Sequence, residues 1–105
     1  MKLRISKDIF YINNLYVCHV GAGDGSDDIQ PGRYPVTTQF SHAHGDILPQ
    51  VDGIGWIGAD SGCDIVLGRV RSGGGVIPGK PFVDMLLNKI EAAEGMGKSI
   101  FLEVD

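Results

Sequence analysis

Apolar and polar residues alternate along the first part of the chain as half-buried strands require. Residues 2–6 place their apolar side chains on one face and their polar side chains on the other. Residues 9–12 are a second short apolar run, and residues 15–20 are rich in strand-forming side chains. Asn13-Asn14 joins these two segments, and asparagine tolerates the left-handed backbone of a tight hairpin turn. The pattern therefore predicts three strands and one hairpin.

Shorter apolar segments predict four further strands. Residues 34–38 are rich in β-formers, although Pro35 restricts this segment to an edge or to the start of a strand. Residues 54–57 form a short strand, and residues 64–70 are almost continuously apolar, which is typical of a buried strand. Residues 99–104 alternate again and form the last strand. Between residues 38 and 54, the chain is punctuated by proline and glycine, and no strand is predicted there.

A helix is predicted over residues 81–94. Pro81 suits the first helical position, because its missing N–H has no partner there in any case. Gly95 suits the residue just after the helix. An apolar stripe recurs at helical spacing through Phe82, Leu86, Ile90 and Ala93, and Val83 and Leu87 widen it. Several strands with one helix predict a β-rich α+β fold, and 105 residues predict a single domain over residues 1–105.

The composition narrows the class of protein. The net charge of −4 and the scattered basic residues argue against a nucleic-acid partner. No apolar run approaches a length of about eighteen residues, so no membrane span is predicted. The first residues lack the apolar core of a signal peptide, which predicts a cytoplasmic protein as encoded. In that compartment Cys18 and Cys63 are expected to be free thiols. The 16 glycines predict many tight turns.

The stretch from residue 40 to residue 68 concentrates the reactive residue types. It holds two of the three histidines, one of the two cysteines and the only tryptophan. In Ser61-Gly62-Cys63, a thiol follows a glycine turn whose backbone N–H groups can stabilise an oxyanion. Histidine lowers the pKa of such a thiol and later protonates the leaving amine. We therefore take Cys63, Ser61 and Gly62 as candidate catalytic residues.

Four segments precede the C-terminal helix and strand in a characteristic order: Leu15–Cys18, Ile29–Val36, Leu48–Ile54 and Ser61–Gly68. In this order they resemble a family of small, mostly phage- and prophage-associated domains of unknown function, which is itself similar to the L,D-transpeptidase-like fold. The resemblance implies a mixed sheet or partly open barrel. It also implies a peptidoglycan peptide, or a phage or cell-envelope protein, as the partner, and phage-associated export as an alternative location.

Two alignments of the candidate site are open. The family places a histidine shortly before its Gly-Cys, and residues 56–60 contain none in this chain. This first alignment, which fits Leu48–Ile54 better, leaves Cys63 without its base. L,D-transpeptidases also carry an earlier His-Gly, and His44-Gly45 precedes Ser61-Gly62-Cys63 at a similar distance. In this second alignment His44 is the partner of Cys63.

Two functions follow from these alignments. The first, which the missing histidine favours, is a non-catalytic or degenerate member of the family that acts as a binding or structural module. The alternative is a cysteine-dependent acyl transferase or peptidase with Cys63 as the nucleophile. Asp60 and Asp64 flank this cysteine, and nearby carboxylates are expected to raise its pKa. A His44 ring within about 4 Å of the sulfur in an open groove favours the enzyme.

A metal site and a cofactor are not predicted from the sequence. The three histidines together with Asp46 offer ligand types that zinc accepts, but neither Cys-x-x-Cys nor His-x-x-x-His spacing occurs. The acidic segment at residues 21–28 resembles one calcium-binding nonapeptide repeat. Such sites need stacked repeats, and a single copy predicts a solvated loop.

Overall fold

The computed structural model describes residues 1–22, 29–60, 62–70 and 76–105. Within these ranges the chain forms nine strands and one helix, in the order β1 Lys2–Ser6, β2 Ile9–Ile12, β3 Leu15–Ala22, β4 Gly32–Ser41, β5 Asp46–Val51, β6 Gly55–Gly58, β7 Ile65–Val70, β8 Val76–Pro78, α1 Lys80–Gly95 and β9 Phe101–Val104. Ser61 and most of the loop predicted at residues 21–28 lie outside the described residues.

The strands close into a barrel. They follow the order β3-β2-β1-β9-β4-β5-β6-β7, and a further pairing of β3 with β7 joins the two ends into a closed ring of eight strands. The ninth strand, β8, extends this ring beside β7. The sheet is mixed as predicted, because β1–β9 and β6–β7 are parallel and the other pairs are antiparallel. The prediction of a partly open barrel is wrong, because β3 pairs with β7.

Two tight turns connect the first three strands. Asn13 and Asn14 adopt positive φ angles of 49° and 67°, which confirms the predicted hairpin turn. Lys7 and Asp8 have φ angles of 51° and 65° and turn β1 into β2 in the same way. The second turn was not predicted, because lysine is not typical of left-handed positions.

The helix packs on the barrel through the predicted stripe. It begins at Lys80, one residue before the predicted start, and its buried residues are Val83, Leu86, Ile90 and Ala93. Its end was predicted wrongly, because Gly95 is still helical and Gly97 takes the left-handed conformation with φ 72°. The Lys98 N–H then reaches the Ala93 carbonyl at 3.0 Å, which completes a Schellman motif.

No helix among the described residues has the length and the apolar composition needed to cross a membrane.

The strand β5 was missed by the sequence pattern, and it matters because it leads away from the candidate site. Pro49 lies inside this strand and pairs with Thr38 of β4. The pairing between β5 and β6 includes Gln50 and Val51 but not Pro49. The missing N–H of Pro49 therefore removes no hydrogen bond to β6. The long hairpin of β4 and β5 therefore forms in spite of the proline, and its turn carries His44.

Candidate functional site

A short return between two parallel strands positions Cys63. The strands β6 and β7 are parallel neighbours, and residues 59–64 alone connect them. Parallel neighbours usually need a connection of about a dozen residues or more. Two hydrogen bonds hold this return at its ends: the Cys63 N–H donates to the Asp60 carbonyl at 3.1 Å, and the Trp56 N–H donates to the Asp64 carboxylate at 2.9 Å. Cys63 therefore packs against β6.

Gly58 makes room for the thiol. A Cβ atom at this position would lie 2.2 Å from the Cys63 sulfur, a distance that non-bonded atoms do not adopt. The side chain of Cys63 is consequently packed into the wall of the barrel, and the residue is 1% exposed. The glycine thus fixes the sulfur at the depth where it meets the turn between β4 and β5.

His44 lies in that turn and faces the sulfur. The N–H groups of His44 and Gly45 both donate to the Ser41 carbonyl, at 3.2 and 2.7 Å. The Ser41 hydroxyl lies 2.7 Å from Nδ1 of the same ring, and Ser41 is 1% exposed. The ring is held in one orientation by this pair of contacts, and its other nitrogen, Nε2, lies 3.5 Å from the Cys63 Sγ.

Asp60 is the third charged or titratable group at this point. Its Oδ1 lies 3.6 Å from the His44 Nε2 and 3.8 Å from the Cys63 Sγ. Burial, followed by the Asp60 carboxylate, raises the pKa of the Cys63 thiol to about 11, and Asp64 adds to the rise. The predicted effect of the flanking carboxylates is confirmed, and the thiol is protonated at neutral pH.

The predicted oxyanion role of Gly62 does not match the local hydrogen bonds. The Gly62 N–H donates to the Asp60 Oδ1 at 2.9 Å, and the Cys63 N–H is used by the Asp60 carbonyl. Both donors are therefore engaged within the turn. Ser61, the remaining predicted residue, lies outside the described residues.

A cavity of about 370 Å³ adjoins His44, Asp60 and Cys63. This volume is within the usual range for small-molecule sites, roughly 300–1,000 Å³. The helix α1 forms one wall of the cavity and β5 forms another. The apolar lining includes Leu48, Ala59, Val83 and Leu87, and the exposed charged lining includes Asp46, Lys80 and Asp84. A bound molecule thus meets a hydrophobic surface and charges of both signs.

The other histidines and the other cysteine lie elsewhere. His19 contacts the Tyr16 ring, and His42 packs edge-on against Phe40 with 5.0 Å between ring centroids. The zinc site that combined all three histidines is therefore not assembled among the described residues. Cys18 is a free, buried thiol on β3, and burial raises its pKa to about 11 as well.

Two contributors were not recognised in the sequence. Ser41 was not considered, and the only available signal was its position three residues before His44. Asp60 was considered only for its charge, although its carboxylate also contacts the histidine.

The chain matches no protein-family model, no curated protein and no solved structure. The resemblance to L,D-transpeptidase-like domains therefore rests on the sequence segments.

The packing of Cys63 against Gly58 predicts the result of a double-mutant cycle. Gly58→Ala is expected to lower the free energy of unfolding by about 1–3 kcal/mol, because the new methyl group overlaps the sulfur. In a Cys63→Ala background the cost is expected to be clearly smaller, since the sulfur is absent. Urea denaturation measures both values. Gly95→Ala is the matched control, because a Cβ atom there meets nothing within 4 Å. If Gly58→Ala cost the same free energy with and without the Cys63 sulfur, the contact would be contradicted.

The raised pKa of Cys63 predicts slow alkylation at neutral pH. In a Cys18→Ala background, the rate of iodoacetamide labelling is expected to rise with pH toward a midpoint of about 11. Asp60→Asn is expected to shift the midpoint to lower pH, because it removes a negative charge beside the thiolate. Asp84→Asn, in the wall of the same cavity, is expected to leave it in place. A midpoint at or below the unperturbed value of about 8.5 in the unsubstituted site would show that the carboxylate does not control this thiol.

Proposed function

We propose that the protein is a cysteine-dependent acyl transferase or peptidase in which Cys63 attacks a carbonyl carbon. The observation that supports this proposal is the distance of 3.5 Å between the Cys63 Sγ and the His44 Nε2, beside a cavity. A nucleophile and a base within reach of one another, with a third group that orients the base, are the signature of covalent acyl transfer. Ser41 is the orienting group.

The starting state of the reaction is a neutral pair. Because the pKa of Cys63 is raised, the thiol keeps its proton until a substrate arrives. With its own proton on Nδ1, the His44 ring donates to the Ser41 hydroxyl and leaves the Nε2 lone pair free to accept. The thiol proton moves to Nε2 as the sulfur attacks the carbonyl carbon. General-base assistance of this kind contributes roughly 10²–10⁴-fold in rate.

The remaining steps use the same base, His44. His44 is a cation after the transfer, and the Asp60 carboxylate at 3.6 Å stabilises it. The imidazolium then donates its proton to the leaving amine as the carbon–nitrogen bond breaks, and a thioester on Cys63 remains. Water or an incoming amine attacks this thioester and loses a proton to His44. The carbon–sulfur bond then breaks, and His44 returns that proton to the Cys63 sulfur. Asp60 therefore disfavours the free thiolate and favours the ion pair that forms during the attack.

The substrate class that we propose comes from the resemblance. Peptidoglycan peptides carry amide carbonyls, free amines and carboxylates, and the cavity offers Asp46 and Asp84 to an amine and Lys80 to a carboxylate. An L,D-transpeptidase-like fold and a phage-associated or cell-envelope setting belong to the same proposal.

The second candidate is a non-catalytic binding or structural module. The observation that favours it is the burial of Cys63, which is 1% exposed and has a raised pKa. In that case the hydrogen bond between Ser41 and His44 has only a structural role in the wall of the cavity. The two candidates differ in whether Cys63 accepts an acyl group.

A covalent trapping experiment separates the two candidates. Incubation of the Cys18→Ala protein with p-nitrophenyl acetate is expected to add one acetyl group, which intact-mass and peptide mass spectrometry place on Cys63. Ser41→Ala is expected to slow this acylation roughly two- to tenfold, since one orienting hydrogen bond is lost. Thr38→Ala, at another hydroxyl of the same strand, is the matched control and is expected to leave the rate unchanged. A folded protein whose Cys63 is never acylated supports the module and contradicts the enzyme.

A further inference from the structure

Three atoms of different chemical type form a nearly equilateral triangle at the candidate site. The Cys63 Sγ lies 3.5 Å from the His44 Nε2, which lies 3.6 Å from the Asp60 Oδ1, and the third side, from sulfur to oxygen, measures 3.8 Å. Tetrahedral zinc holds sulfur at about 2.3 Å and nitrogen or oxygen at about 2.0–2.2 Å, which separates its ligand atoms by roughly 3.3–3.6 Å. The three sides differ from this range by a few tenths of an ångström at most.

We infer that these three atoms bind a zinc ion, and that the bound ion switches off the thiol chemistry. Binding depends on Cys63, His44 and Asp60 alone, whereas the switch rests on the proposed function. One thiolate, one imidazole and one carboxylate form a ligand set suited to zinc. Magnesium and calcium prefer oxygen ligands throughout.

Two of the three ligands are already oriented by outer contacts. Ser41 bonds the ring nitrogen of His44 that faces away from the cysteine, and the Gly62 N–H bonds the Asp60 Oδ1. Contacts of this kind fix the direction of a ligand and raise the affinity of a metal site. The engaged N–H of Gly62, which is unavailable as an oxyanion donor, therefore acquires a role in holding the carboxylate.

The cavity provides access and the fourth ligand. Each of the three residues lines it, so an ion bound to them has one open position on the cavity side. A water molecule completes the tetrahedron there. Among the described residues of the lining, Asp46 and Asp84 stand against one cation, Lys80, and this charge balance favours the entry of a divalent ion.

The chemistry of the switch is a proton exchange. Zinc forms a bond to the sulfur as the thiol proton leaves to solvent, and it takes the Nε2 lone pair that the acyl transfer needs. The nucleophile and the base are both occupied while the ion stays. A chelator that removes the ion returns the thiol and the free imidazole.

Cobalt(II) is the probe for the site, because it occupies tetrahedral zinc sites and absorbs in the near ultraviolet when a thiolate binds it. The full chain is expected to bind one cobalt ion with this absorption, and added zinc is expected to abolish it. Cys63→Ser is expected to remove the absorption, and Cys18→Ala, the matched control at the other thiol, is expected to keep it. A folded protein without the thiolate absorption, or an absorption that depends on Cys18, would overturn the inference.

The affinity for zinc, measured by competition with a chromophoric chelator, tests the third ligand. Asp60→Asn is expected to weaken zinc binding by at least about tenfold, because it removes one of the three ligand atoms. Asp84→Asn is expected to weaken it by less than about twofold, because Asp84 is outside the group of ligand atoms and acts only through its charge. Equal losses in the two variants would overturn the assignment of Asp60.

The acylation assay separates this inference from the proposed function. Zinc is expected to stop the acylation of Cys63 in the unsubstituted site. Asp60→Asn, compared with the same variant without zinc, is expected to need at least about tenfold more zinc for the same inhibition. Acylation that zinc leaves unchanged contradicts the switch while the proposed function stands. Cobalt–thiolate absorption in a protein that is never acylated contradicts the proposed function and retains the metal site.

Discussion

The contact between Gly58 and the Cys63 sulfur is the constraint on which the candidate site depends. Because Gly58 has no side chain, residues 59–64 can fold back directly onto β6 and still begin β7 in parallel register with it. The sulfur is thereby held at one depth in the barrel wall. The hairpin of β4 and β5 approaches from the other side and brings the His44 ring to this sulfur. Any side chain at position 58 would separate the two.

Asp60 gives the site two opposed properties. After burial, which has the larger effect, its carboxylate raises the pKa of the Cys63 thiol. The same carboxylate lies 3.6 Å from the His44 Nε2, where it would stabilise the cation of the proposed reaction. The inferred metal ion would use the same carboxylate as a ligand. Under both proposals the chemistry of Cys63 depends on whether a protonated His44 or a divalent cation neutralises Asp60.

Local patterns were enough to predict much of the fold. The strands at residues 2–6 and 9–12, the turn at Asn13-Asn14 and the apolar stripe of the helix all depend on neighbours in the sequence. The closure of the barrel was not predictable in this way, because the pairing of β3 with β7 joins distant segments without a periodic signature. The strand β5 was missed because Pro49 is unfavourable in most strands, and only its partners show that this position tolerates it.

The site was predictable in its residue types and not in its geometry. Cys63 was selected because it follows a glycine turn, and His44 because L,D-transpeptidases carry a His-Gly before their cysteine. The contact of Ser41 with the ring depends on the turn between β4 and β5, and the contacts of Asp60 depend on the short return to β7. Neither turn has a recognised sequence signature, so these two contributors appear only when the backbone is known.

Chemical rescue of the base is the most direct measurement of whether His44 acts on Cys63. His44→Ala is expected to lower the rate of Cys63 acylation by roughly 10²–10⁴-fold, and added imidazole is expected to restore part of it, because the adjoining cavity admits a small base. Ser41→Ala is the comparison, because it keeps the imidazole of His44 and removes only the hydrogen bond that orients the ring. An acylation rate that does not change on His44→Ala would contradict the account.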